Sequence, residues 1–119
     1  MEDKIYACHP HIVNERKKVL PDQHNIDAVA GFFRVISDPT RVRILWALDQ
    51  GELCVGDLSV LLDMTVSAIS HQLKMLKDTG LVKARRDGKH MIYSLDDEHV
   101  RAVFETAVEH LEHLHKEKE

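Results

Sequence analysis

The chain has 119 residues, enough for one domain with a single modest core. Charged residues make up 30% and aromatic residues 5%, the balance of a soluble, helix-rich protein, and no apolar run approaches membrane-spanning length. The net charge of −4 argues against nucleic acid only until it is divided: residues 64–95 hold six basic and two acidic side chains, net +4, and residues 96–119 hold three basic and eight acidic, net −5.

Residues 1–24 read as an N-terminal arm. It opens Met-Glu-Asp-Lys, without the apolar run of a signal peptide, so a cytoplasmic protein is expected. The arm carries Cys8, His9 and His11, and a short helix starts near Pro10 and stops at Pro21. Two cysteines, Cys8 and Cys54, are too few for a disulfide scaffold and are expected to stay thiols or bind metal.

Residues 25–96 read as the folded core. Asn25 is placed to cap a helix that buries Val29, Phe32, Phe33 and Ile36. Asp38-Pro39 ends that helix and opens another, in which Val42, Ile44, Leu45, Trp46 and Leu48 supply core before Gly51 closes it.

Two short amphipathic helices follow, one through Leu58, Leu61 and Leu62, the other through Val66, Ile69, Leu73 and Leu76, broken at Asp63-Met64-Thr65. Such a pair suggests a helix-turn-helix. At about 100° per residue, the second helix, residues 65–79, turns Ser67, Ala68, His71 and Lys74 away from its apolar stripe. Small polar side chains and a lysine near a helix N-terminus suit the major groove; Thr65 and Ser70 join the candidate DNA contacts. Gly80 ends the helix, Val82 and Ala84 alternate with Lys83 and Arg85, and Asp87-Gly88 between two extended runs signals a hairpin. Its basic tip, Arg85, Arg86, Lys89 and His90, can reach phosphates or a minor groove beside the helix. The fold expected is mainly α with a small β-hairpin wing: a winged helix-turn-helix.

Residues 97–119 read as one helix with an apolar stripe of Val100, Val103, Phe104, Ala107, Val108, Leu111 and Leu114, able to pack on its own core or on a partner chain. His99, His110 and His113 share one flank of it, while His115 points elsewhere. His110 and His113, three apart, can chelate one ion together. His99 lies eleven residues from His110, about 16 Å at the helical rise, so it joins them only from an antiparallel second copy. Asp97 would face away in a regular helix and can ligate only from a frayed start or cap.

These residues also resemble the ArsR/SmtB family of bacterial metalloregulators. Four segments within residues 26–113 carry the likeness: SDPTRVRIL at 37–45, ELCVGDL at 52–58, SAISHQLKML at 67–76, and SLDDEHV at 94–100 after the wing. The resemblance implies a homodimeric repressor that binds operator double-stranded DNA and releases it on binding metal. It also implies that Asp97, His99, His110 and His113 occupy the metal-ligating positions of the family's C-terminal-helix sensors. Nitrogen and oxygen donors in a closed four-ligand set suit Zn²⁺, with Co²⁺ as its mimic. Cys54 and Asp57 match the family's other metal site, completed from the partner chain, where Cys8 with His9 or His11 could serve. Cadmium and lead sensors have a second cysteine where this chain has Gly56, so Cd²⁺ is the less suited ion.

The reading that follows is a metal-responsive transcriptional repressor with neither a membrane partner nor a small-molecule substrate. The alternative is a repressor responding to thiol chemistry or to Cd and Pb through Cys8 and Cys54. An enzyme is not expected: no His-Glu-x-x-His occurs, and a closed ligand set leaves no position for water. A metal buffer would leave the basic hairpin unexplained. His71 keeps two roles, a groove contact or a partner that passes the metal state to the recognition helix.

Overall fold

The computed structural model describes residues 4–118, with side chains through residue 117; residues 1–3 and 119, the ends of the expected arm and terminal helix, lie outside the described residues. The elements are α1 (Pro10–Val19), α2 (Gln23–Ile36), α3 (Pro39–Asp49), β1 (Leu53–Cys54), α4 (Val55–Leu62), α5 (Val66–Asp78), β2 (Val82–Asp87), β3 (His90–Leu95) and α6 (Glu98–Lys118). The chain divides into a unit ending at Gly31 and a unit starting at Phe32.

In the first unit, Pro10 opens α1, where a missing N–H costs nothing, and no residue of that helix is buried. Asn25 does not cap α2. The helix starts earlier, and the Asp22 carboxylate accepts the Asn25 N–H at 2.9 Å. Val29, expected inside, is 58% exposed.

The second unit holds the core: Ile44, Leu45 and Leu48 of α3, Leu58 and Leu62 of α4, Ile69, Leu73 and Leu76 of α5, with Leu81, Val82 and Leu95. Asp38 caps α3 by accepting from the Arg41 N–H at 3.1 Å. Four residues expected in the core are more than half exposed instead: Phe33, Trp46, Leu61 and Val66. An apolar period marks a stripe, but a helix in a domain this small has too little neighbouring surface to cover all of it. Trp46 sits at the core's edge, its ring meeting Phe104 of α6 at 5.4 Å in a T-shaped contact.

The sheet is antiparallel in the order β1-β3-β2. Pairing from Val82↔Leu95 to Asp87↔His90 makes the hairpin loop Gly88-Lys89, one residue later than the Asp87-Gly88 expected. Gly88 takes φ +63°, and glycine with positive φ at the first loop position fits a type II′ turn. β1 was not expected; it adds Leu53 opposite Tyr93 and Cys54 opposite Ile92. Two residues are too few to carry a strand period.

Candidate DNA-binding surface and metal centre

The turn between α4 and α5 depends on Asp63, whose αL conformation (φ 53°) ends α4. A short polar side chain tolerates that region better than most. The Arg43 guanidinium donates to the Leu62 carbonyl at 2.9 Å and satisfies one of the groups α4 leaves open. Thr65 then caps α5 through its hydroxyl oxygen, which accepts the Ala68 N–H at 3.0 Å. At the far end the Gly80 N–H donates to Lys77 and the Leu81 N–H to Leu76, with Gly80 at φ +76°, a Schellman motif whose Leu76 and Leu81 are fully buried.

With Ile69, Leu73 and Leu76 inward, α5 exposes Ser67, Ser70, His71 and Lys74; Ala68 is only half exposed. Lys74 pairs with Asp78 at 3.0 Å across one turn, both in solvent. On the wing, Arg86, Lys89 and His90 are exposed at the tip. Arg85 differs from them: its Nε lies 3.2 Å from Glu52, with a second contact from Nη2, and that pairing holds the Glu52 carboxyl below the usual carboxylate range. Arg85 therefore ties the wing to the segment before β1.

The structure brings the C-terminal candidates together in two groups. Asp97 stands at the cap of α6, where one carboxylate oxygen accepts the Val100 N–H at 2.9 Å and the other lies 3.5 Å from His99 Nδ1. The Val100 N–H is the main cause holding the Asp97 carboxyl low, with His99 adding to it. Farther along, His110 and His113 line an open groove with Thr106, Glu109, Glu112 and Lys116, and His113 pairs with Glu117 at 3.0 Å. Among the described residues no three His, Cys, Asp or Glu side chains lie close enough within one chain to hold an ion. The nitrogen and oxygen donors are of the kind zinc takes, but within one chain they stand as two separate pairs.

Cys54 and Asp57 form a reciprocal capping box. The Cys54 Sγ accepts the Asp57 N–H at 3.4 Å, and Asp57 accepts the Cys54 N–H at 3.1 Å. Hydrogen bonding to Cys54 lowers the Asp57 carboxyl, with a smaller contribution from the charge of His90. A Cβ at Gly56 would lie 3.8 Å from that sulfur in ordinary contact. Of the arm candidates, Cys8 is exposed, His9 occupies the N-cap position of α1 without a side-chain cap bond, and His11 is exposed on α1.

Residues 38–84 match the model of the bacterial regulatory protein family arsR. A cadmium resistance transcriptional regulatory protein CadC homologue from Staphylococcus aureus is 44% identical over 90% of this chain and 88% of its own. The chain belongs to the ArsR family. The SmtB-homologue transcriptional repressor of Synechocystis is 39% identical over 81% of this regulator and 75% of its own length. A homodimeric winged helix-turn-helix DNA-binding domain from Mycobacterium bovis superimposes with a TM-score of 0.69 at 34% identity, covering 80% of this chain and 94% of that one.

In this ArsR-family transcriptional regulator, sequence reasoning missed two long-range ion pairs beside the candidate residues. Glu52, which holds Arg85, stands 33 residues from it. Arg101 of α6, only part exposed, donates to the Asp49 backbone carbonyl and lies 3.1 Å from its carboxylate. Neither pairing has a local spacing that could announce it.

Proposed function

We propose that this ArsR-family regulator is a cytoplasmic homodimeric repressor that binds operator DNA without metal and is released when Zn²⁺ bridges its two C-terminal helices. The observation that carries this reading is the division of donors on α6: Asp97 and His99 at one end, His110 and His113 at the other. An antiparallel second copy would bring the halves together twice, giving two equivalent sites. Val103, Leu111 and Leu114 support it, since α6 leaves them 40%, 55% and 37% exposed beside those donors.

Bound zinc would fix the angle between the two helices. Because Arg101 binds Asp49 and Phe104 packs on Trp46, α6 moves with α3 and with the core that carries α5. Two α5 helices must enter major grooves about 34 Å apart, so a change in that angle lowers operator affinity. Exchanging His110 and His113 for alanine should abolish the zinc response in an operator-release assay while leaving metal-free DNA binding intact. Exchanging Cys8 and Cys54 for serine should leave the response unchanged; the reverse pattern would assign sensing to the thiols.

A further inference from the structure

Val66 belongs by period to the buried stripe of α5, yet it is 55% exposed, while Ile69, Leu73 and Leu76 on that stripe are fully buried. The reason lies in its place as the first residue of the helix, where the chain has just left the Asp63 turn and α4 has already ended at Leu62. No turn of helix precedes it to close over the side chain. On a helical wheel Val66 stands next to Ser70 and within about 100° of Ser67, at the edge of the surface that presents Lys74 and His71. Among the described residues of α5 it is the one large apolar side chain on that face; its neighbours along the helix are serines, lysines, His71 and Asp78.

Local structure gives little reason for valine at this position. A β-branched side chain is a poorer helix former than alanine or glutamate, and half of this one faces water. The N-terminal residues of a recognition helix are those that meet base edges. On those edges the thymine 5-methyl is the one apolar group the major groove offers, and it is read by apolar contact rather than by a hydrogen bond.

We propose that Val66 is a specificity-determining residue of this regulator, contacting the 5-methyl of a thymine in each operator half-site while Ser67 and Ser70 address polar edges. The proposal rests on the reading of α5 as the helix that enters the groove.

Thymine and uracil differ only in that methyl, so deoxyuridine removes the contact and keeps every hydrogen-bonding group. The test uses the full-length protein and DNA from upstream of its own gene, footprinted to locate the half-sites. Thymines are replaced by deoxyuridine one symmetric pair at a time, and affinity is read by fluorescence anisotropy. Burying one methyl against Val66 predicts that one pair lowers affinity about fourfold per half-site, about fifteenfold for both. Val66→Ala should then bind thymine and deoxyuridine DNA equally; its melting temperature, expected near the parent's for an exposed position, confirms that it is folded. Equal wild-type affinity for thymine and deoxyuridine at every pair overturns the proposal, as does a Val66→Ala variant that keeps the full preference. Lys74→Ala separates the two readings. If it weakens binding and flattens the salt dependence while no methyl is sensed, only the Val66 assignment falls; if it changes nothing, the placement of α5 falls as well.

Discussion

At the scale of single residues, Cys54 holds two positions at once: N-cap of α4 and candidate metal ligand. Serine and alanine separate these roles. Cys54→Ser keeps a side-chain acceptor for the Asp57 N–H and should leave the melting temperature unchanged or raised, whereas Cys54→Ala should cost about 1 kcal/mol in denaturant unfolding. If metal affinity at this position depends on sulfur, both variants lose it equally. Gly56→Cys places a second thiol beside Cys54, and the 3.8 Å contact leaves room for it. The variant should gain tight Cd²⁺ binding, seen as ultraviolet thiolate-to-metal absorption lacking in the parent, because paired soft ligands favour soft ions. The family resemblance pointed to Cys54 and Asp57 together, but not to their reciprocal hydrogen bonds, since cysteine is a rare cap. Val66 and Ala68 show the same limit: a wheel assigns direction, while exposure depends on where the preceding turn stops.

At the scale of elements, α5 was legible almost to the residue, because Thr65, Gly80 and the run of Ile69, Leu73 and Leu76 all mark the same boundaries. The wing was legible as a hairpin, and its loop was displaced by one residue because Asp87 continues β2 opposite His90. The β1 strand was not legible, being held by β3 rather than by its own composition. How α6 meets the core rests on long-range contacts, Arg101 with Asp49 and Phe104 with Trp46. Glu105 belongs to that junction. Desolvation and then the Asp49 charge raise its carboxyl above the usual range. The folded state thus holds its proton to higher pH than the unfolded chain does. Stability falls as pH rises from the unfolded value to the folded one and stays lower beyond it. Glu105→Gln should therefore raise the melting temperature at neutral pH, with the gain vanishing in acid, where the parent carboxyl is protonated in both states.

At the scale of the whole molecule, the proposed function accounts for the charge division and the exposed apolar stripe of α6 together: a basic reading head, and a helix face offered to a second copy. Leu111→Glu sets a charge on that stripe and should shift the protein from dimer to monomer in sedimentation velocity, with loss of tight operator binding; an unchanged dimer would move the interface elsewhere. The family and the winged helix-turn-helix could be read from four short segments and a hairpin, and helical spacing separates Asp97 and His99 from His110 and His113 as the structure does; the proposed joining of the two pairs belongs to geometry between chains, which the fold of one chain does not contain. The most direct measurement is fluorescence anisotropy of the protein on DNA from upstream of its own gene, first with chelator and then with one zinc per monomer. Zinc should weaken a tight, salt-dependent complex by tenfold or more, about 1.4 kcal/mol of coupling between the two ligands. Equal affinity in the two conditions would contradict zinc release as the means of regulation.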